Sequence, residues 1–183
     1  MEFLPEGYKR ESSSSRYFKM EEGDNSFRIT SPLIVGFEKW YKNDEGNRKV
    51  ARVKVADKSD LKSLPRDENI RFFWAFTLWN TEAKAHQLAV ITQVTIQESI
   101  ENLVRNDKWG SPIGTTGYDL TITKKGKGKE TSYTVAPNPK EKLDKEVIAE
   151  VKAQAVNIDA LFDGSDPFEE VNDKEVKPDD LPF

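Results

Sequence analysis

The sequence predicts a mainly β domain with two helices and an acidic C-terminal tail. Several segments alternate apolar and polar residues with the two-residue period of a half-buried strand. Two segments, residues 95–106 and 141–162, instead carry apolar residues at helical spacing. Residues 163–183 hold eight acids against two lysines and few aliphatic side chains, so we expect this tail to be disordered.

Composition narrows the classes of function. The 183 residues fit one domain of ordinary size plus appendages. Because the chain has no cysteine, we expect no disulfide, zinc–thiolate site or thiol nucleophile, and its one histidine, His86, is expected to be structural or exposed. We therefore expect no enzyme activity, metal or cofactor. No apolar run approaches the ~20 residues that span a bilayer, and residues 1–6 do not resemble a signal peptide, which predicts a cytoplasmic protein without a membrane partner.

The net charge of −4 averages two regions of opposite sign. Residues 16–143 hold 22 Lys and Arg against 17 Asp and Glu, whereas residues 163–183 are strongly acidic. Separated charges of this kind indicate a basic, ligand-binding body and an acidic arm that competes with the ligand or recruits a partner.

The first third of the chain is predicted to contain a lead-in and several strands. Residues 1–15 include Pro5, Gly7 and four consecutive serines, which is typical of a flexible segment. Polar turns and the bend at Pro32 separate the predicted strands, which are residues 17–20, 26–30, 33–41 and 50–55. Residues 56–69 are charged and are expected to form a loop.

Residues 70–79 form the most aromatic segment of the chain. One face of this strand is uniformly apolar and is expected to pack in the core; it carries Phe72, Trp74, Phe76 and Leu78. The other face mixes a cation with large rings and is expected to meet solvent; it carries Arg71, Phe73, Ala75, Thr77 and Trp79.

The remaining elements complete the predicted domain. A strand at residues 87–93 precedes the first helix, where Thr95 and Glu98 fit a capping box. Two closing strands, residues 118–123 and 131–135, are joined by a basic, glycine-rich hairpin tip. This order is that of an oligonucleotide-binding (OB) barrel, a five-stranded sheet with one helix between strands three and four. The barrel would cover residues 16–140, followed by a helix at 141–162 and the tail at 163–183.

Cations beside exposed aromatic rings predict binding of single-stranded nucleic acid. Bases stack on aromatic rings at roughly 1 to 3 kcal/mol per base, while Lys and Arg track the phosphates. The candidate binding residues are Arg28, Lys39, Trp40, Tyr41, Arg52, Lys54, Arg71, Phe73, Trp79, Trp109, Lys124, Lys125 and Lys127. Core packing and stacking both remain open for Phe73, Trp79, Trp40, Tyr41 and Trp109, and the basic hairpin tip is equally typical of a solvated turn.

The sequence closes on Asp179, Asp180, Leu181, Pro182 and Phe183. An anionic patch and one aromatic anchor stand together there. Charge-assisted hydrogen bonds and burial of Phe183 would suit a basic, apolar pocket on a partner protein.

This Asp-Asp-Leu-Pro-Phe end resembles the tip of bacterial and phage single-stranded DNA-binding proteins. Over residues 17–183 the chain resembles a tailed-phage family of these proteins, through FWAFTLWN at residues 73–80, ITQ at 91–93, WG at 109–110, GYDLTIT at 117–123, YTV at 133–135 and IDALF at 158–162. The resemblance implies an OB barrel that coats single-stranded DNA in replication, recombination and repair. It also implies that the tail recruits replication or recombination proteins in the cytoplasm of the host cell.

Other hypotheses remain open. An RNA-binding or protein-interaction barrel is the alternative, and a nuclease is a third, although no spaced cluster of metal ligands stands out among the acids. The sequence leaves both a monomer and a dimer open.

Overall fold

The structure is a computed structural model that describes residues 16–65 and 69–169. The predicted lead-in at residues 1–15 and the predicted partner-binding tip, Asp179 to Phe183, lie outside the described residues. No helix in residues 16–65 and 69–169 is long and apolar enough to cross a membrane.

The described residues form a mainly β fold, as the sequence predicts. All strand pairings are antiparallel, and the hydrogen-bonded order is β3-β2-β4-β1-β6-β7, with β5 also paired to β4. The strands are β1 (Gly23–Ile29), β2 (Ile34–Lys42), β3 (Arg48–Val53), β4 (Arg71–Asn80), β5 (Ala85–Ile91), β6 (Leu120–Lys125) and β7 (Ser132–Pro137). The closed five-stranded barrel is not confirmed, because the described residues give seven strands in an open sheet.

Strand β4 lies at the centre of the sheet. Along one edge, β2 pairs with its residues 71–75 and β1 pairs with its residues 78–80, so β1 and β2 lie end to end. Along the other edge β5 pairs with residues 74–80. Pro32, in the connection between β1 and β2, has no N–H to donate to β4. The Thr77 N–H instead donates to Ser31 Oγ at 2.8 Å, which carries the chain from one strand to the next.

The main core lies on one side of β4 and is covered by helix α1 (Val94–Arg105). Trp74, Phe76 and Leu78 face Ile96 and Ile100 of this helix, as their apolar alternation predicts. The predicted capping box is not formed, because the helix begins one residue earlier, with Gln93 as its N-cap. Burial of each large aliphatic side chain here contributes about 1.5–3 kcal/mol.

A second, smaller core lies on the other side of β4. The single helix predicted at residues 141–162 is instead two short helices, α2 (Lys145–Ala153) and α3 (Ala160–Asp163). Ile158 and Leu161 pack with Phe73 and Ala75 of β4. We call residues 154–168, which lie over this face, the C-terminal cover. Phe73, Ala75, Thr77 and Trp79, on the face of β4 that was expected to meet solvent, are therefore buried, whereas Arg71 on the same face is exposed.

The C-terminal cover includes the first residues of the predicted tail. The Asn157 N–H donates to the Pro167 carbonyl at 2.8 Å, and Pro167 is buried. The Phe168 ring lies 5.2 Å from the Tyr17 ring, edge to face. The folded region thus extends to residue 169, so disorder of the tail is not supported for residues 163–169.

A buried polar group joins the cover to the sheet. His86 is 7% exposed; its Nε2 lies 2.9 Å from the Thr30 hydroxyl, and its Nδ1 lies 3.1 Å from the Gln154 carbonyl oxygen. Because a carbonyl only accepts, Nδ1 carries the proton and Nε2 accepts from Thr30 in the neutral ring. Burial lowers the pKa of His86 from 6.5 to about 4, against a smaller opposing effect of the Gln154 hydrogen bond.

This pKa predicts how stability depends on pH. The unfolded chain protonates His86 below its ordinary pKa of 6.5, whereas the folded chain keeps it neutral down to about 4, so stability is lost as pH falls through this window. We expect the free energy of unfolding, measured by urea titration, to fall by about 2 kcal/mol between pH 7.5 and pH 5. His86→Gln removes the titrating group and should flatten this dependence. Parallel curves for the two proteins would contradict the prediction.

Candidate nucleic-acid interface

The hairpin of β2 and β3 has two distinct faces. Residues that stand opposite one another in an antiparallel pair share a face, and successive residues alternate. The register pairs Glu38 with both Arg52 and Arg71, Trp40 with Val50, and Lys42 with Arg48. The backbone stays extended at Lys54, so its side chain follows Arg52 in the same alternation. We call this surface the Trp40 face; it comprises Glu38, Trp40, Lys42, Arg48, Val50, Arg52, Lys54 and Arg71.

Glu38 lies at the centre of the Trp40 face. Its side chain is buried, and its two carboxylate oxygens accept from different partners. The Trp40 Nε1–H donates to Oε1 at 3.3 Å, and the Arg52 Nε–H donates to Oε2 at 2.9 Å. One carboxylate therefore orients the indole ring and neutralises the half-buried guanidinium.

A cation lies over the Trp40 ring, and others share its face of the sheet. The Arg48 guanidinium lies 4.6 Å from the ring centroid, within the range of a cation–π contact. Lys54 and Arg71 are exposed. The Trp40 face carries five cations against the one carboxylate of Glu38, which is already paired with Arg52. The surface combines a held aromatic ring with positive charge, which suits a polyanion whose bases are unpaired.

Two predicted partners of Trp40 lie on the opposite face. Lys39 stands opposite Ala51, and Tyr41 stands opposite Lys49. Lys39 is only 4% exposed, and its Nζ donates to the carbonyl oxygens of Leu61 at 3.4 Å and Leu64 at 2.9 Å. Lys39 therefore anchors the segment after β3, and its predicted contact with phosphate is corrected by this burial.

Arg28 is also buried inside the fold. It is 2% exposed, and its Nε donates to Asp119 at 2.7 Å. Its two terminal nitrogens donate to the carbonyl oxygens of Gly114 at 3.2 Å and Glu141 at 2.8 Å. Arg28 joins β1 to the loop between α1 and β6 and to the segment that leads into α2. A structural role replaces the predicted binding role.

Phe73 and Trp79 do not offer stacking surfaces. Phe73 is 0% exposed and Trp79 is 8% exposed. The Phe162 ring of the C-terminal cover lies 6.0 Å from Phe73, and the Arg52 guanidinium lies 5.8 Å from it. The prediction that this face of β4 meets solvent is wrong, because the cover closes over it.

The remaining predicted residues lie away from the Trp40 face. The half-buried Trp109 packs against Tyr118 of the main core at 5.3 Å. Lys124, Lys125 and Lys127 belong to the β6–β7 hairpin, where Lys124 stands opposite the first residue of β1. Since β2 continues the line of β1, this hairpin tip and the β2–β3 tip lie at opposite ends of the sheet along the strand direction. Binding by these lysines stays a prediction.

The structure adds residues that sequence reasoning missed. Glu38 accepts a hydrogen bond from the Trp40 indole, and Arg48 lies over its ring. The two-residue alternation along β2 could have indicated that Glu38 shares a face with Trp40. Phe72, expected in the core, is 37% exposed. Its apolar neighbours along β4 gave no signal that Phe72 would be more exposed than they are.

Other kinds of site are not supported within the described part of the chain. Residues 16–65 and 69–169 hold no group of three or more His, Cys, Asp or Glu side chains placed to bind a metal ion. A cavity of about 490 Å³ lies between α1 and the β1–β2 connection, and its lining includes Leu33, Trp74 and Val104. This lining is largely apolar, so the cavity offers little to a phosphate backbone.

Glu38→Gln tests whether one carboxylate organises the Trp40 face. The amide keeps the shape but removes the charge that pairs with Arg52, so we expect a loss of about 2 kcal/mol in the free energy of unfolding. Glu101→Gln is the matched control, since Glu101 and Arg105 form an exposed pair at 3.5 Å on α1. The control should change stability by less than about 0.5 kcal/mol in the same urea titration. Equal losses in the two variants would contradict the assignment.

Comparison of the chain with models of protein families, with curated proteins and with solved structures finds no match. The family resemblance therefore rests on the short motifs in the sequence.

Proposed function

We propose that this protein binds single-stranded DNA without sequence preference, and that it coats and protects the strand in phage DNA replication, recombination and repair. It acts without catalysis and recruits partner proteins through its acidic C-terminal tail. The observation that carries the proposal is the Trp40 ring, fixed by Glu38 and Arg48 amid the cations of one sheet face.

The chemistry of this face favours a single strand over a duplex. A flat ring can stack on a base only when that base is unpaired, and the stack is tolerant of sequence because every base has a π-face. The cations attract phosphates and release their condensed counterions, which makes binding depend on salt. Together, the ring and the cations support binding of single-stranded DNA without base-specific contacts.

The strand pairing also supports an OB barrel. If β1 and β2 count as one interrupted strand and β3 as an addition, five strands remain: β1 with β2, β4, β5, β6 and β7. The strand formed by β1 and β2 pairs with β4 and, through β1, with β6. Strand β4 also pairs with β5, and β6 pairs with β7. In chain order, helix α1 then falls between β5 and β6, the third and fourth of these five strands. We propose that the domain is a partly open form of this barrel, with β3 extending its binding surface.

The acidic end of the chain is proposed to serve this interface. Helix α3 lies against β3, which carries part of the Trp40 face. The Tyr17 ring lies 5.2 Å from the Phe168 ring of the C-terminal cover. Burial raises the pKa of Tyr17, Arg52 lowers it and Asp166 raises it, so a cation of the Trp40 face and an acid of the cover both act on this group. We propose that the acidic tail competes with DNA for the cations of the Trp40 face, and that DNA binding frees Asp179 to Phe183 for a replication or recombination protein.

The proposed function predicts a preference among nucleic acids. Affinity for oligo(dT), read by quenching of tryptophan fluorescence, should exceed affinity for duplex DNA and fall steeply with salt. Trp40→Ala should weaken binding by about 1–3 kcal/mol. Arg71→Ala should reduce the salt slope by about 0.7, whereas Arg105→Ala on α1 should leave it unchanged.

Equal affinity for single-stranded and duplex DNA would reject the proposal. Competition with oligo(rU) of the same length tests the RNA-binding alternative. Tighter binding of the RNA would favour that alternative instead.

The tail proposal predicts the effect of truncation. Deletion of Asp179 to Phe183 removes two acids, so oligo(dT) binding at low salt should be unchanged or tighter. A matched variant that replaces Asp179 and Asp180 by Asn, keeping Phe183, separates the charge from the aromatic anchor. A truncation that weakens DNA binding would contradict competition between the tail and DNA.

A further inference from the structure

The opposite face of the β2–β3 hairpin presents a second aromatic cluster. Phe37 pairs in register with Val53 of β3 and with Phe72 of β4, which places it on the side of β2 away from Trp40. We call the surface formed by Phe37, Phe72 and Lys58 the Phe72 face. Phe72 is 37% exposed, although its apolar neighbours farther along β4 are buried.

The Phe72 face is held in place by packing and by a cation. The Phe37 and Phe72 rings are 5.3 Å apart and inclined by 58°, and Lys58 Nζ lies 4.5 Å from the Phe37 centroid. Lys58 belongs to the 3₁₀ segment Val55–Ser63, which is fixed by the buried Leu61 and by the hydrogen bonds from Lys39. The exposed part of Phe72 therefore sits on a fixed platform beside a positive charge.

Arg71 and Phe72 place the two faces next to each other. Arg71 stands opposite Glu38 on the Trp40 face, and Phe72, the next residue, points to the other side. Pairing between β5 and β4 begins only at Trp74, so β4 starts at an end of the sheet where β2 is its paired neighbour. A single strand bound on the Trp40 face could therefore pass Arg71, at the start of β4, and reach Phe72 on the opposite face.

We propose that the Phe72 face is a second stacking site for the same single strand, which passes around the start of β4 from Trp40 to Phe72. The inference rests on the proposed function and adds a path to it. Lys58 supplies a phosphate contact on this side, as Arg71 does on the other. The occupant is a nucleobase, because a partly exposed ring packed on Phe37, with Lys58 4.5 Å from the Phe37 centroid, matches a stacked base with its phosphate.

Phe72→Leu, which keeps an apolar side chain but removes the flat ring, tests this path with two lengths of oligo(dT). For a strand of about 15 nucleotides, long enough to reach both faces, we expect affinity to fall at least about 5-fold. For a strand of about 5 nucleotides, which fills the Trp40 face alone, affinity should stay unchanged. Val104→Ala, which trims another exposed apolar side chain, should bind both lengths as the parent does.

Lys58→Ala provides a second readout that leaves the aromatic pair in place. Its salt slope for the long strand should be shallower by about 0.7, with the short-strand slope unchanged. Thermal unfolding of each variant shows whether the fold is retained, so a binding loss in a folded Lys58→Ala protein supports the path even if Phe72→Leu is unstable.

The outcomes distinguish failure of the second stacking site from failure of the proposed DNA-binding function. If Trp40→Ala weakens binding while Phe72→Leu and Lys58→Ala behave as the parent at both lengths, the second site is rejected and the proposed function stands. If Phe72→Leu weakens short and long strands equally, the passage from one face to the other is rejected. If none of the variants weakens binding, the proposed function itself fails.

Discussion

Burial of β4 on both of its faces is the constraint on which the rest of the structure depends. Trp74 and its alternate neighbours pack beneath α1, while Phe73 and Ala75 pack beneath the C-terminal cover. A strand covered on both sides is expected to be apolar almost throughout, as this one is. The close approach of the cover also requires glycine at position 36, where a Cβ would stand 2.5 Å from the Val53 carbonyl oxygen and 2.9 Å from both the Phe162 and Phe73 rings. Most of the aromatic side chains of residues 70–79 are thus buried in the two cores.

With β4 buried, the surface for a ligand lies at the β2–β3 hairpin. The hairpin continues past the part of the sheet that α1 covers, and its residues keep the two-residue alternation of a strand, with α3 against β3 and the 3₁₀ segment against both strands. Concentrated positive charge on such a strand needs a local counterion where a guanidinium is partly buried, because an unpaired buried charge costs several kcal/mol. Glu38 meets that need for Arg52 and uses its second oxygen to orient Trp40. The same carboxylate therefore stabilises the hairpin and fixes the ring.

Patterns with a clear period were predictable from the sequence, and contacts between distant segments were not. The strand periods and the amphipathic pattern of α1 gave the class of fold, and the odd-even alternation along β4 was correct. Exposure of the odd face was wrong because Phe162 lies far along the chain from Phe73, and no local pattern shows which surface a terminal segment will cover. Arg28 and Lys39 were candidates by charge alone, yet both are used to satisfy carbonyl oxygens of distant loops. Alternation predicted that Arg52 and Lys54 share the solvent side of one strand, and the strand register adds Arg71, which stands opposite Glu38 on the face of Arg52.

The C-terminal cover also links the fold to its electrostatics. By packing on Phe73 it brings α3, which ends at Asp163, against β3, which carries Arg48 and Arg52. Hydrogen bonds from Ser165 hold the pKa of Asp163 below its ordinary value, which keeps that carboxylate charged. Interactions between exposed charges fade beyond about 8 Å at physiological ionic strength, so an acidic arm influences a basic face only if the fold delivers it nearby. The same residues that close the second core therefore also fix the position of Asp163, at the end of α3, relative to β3.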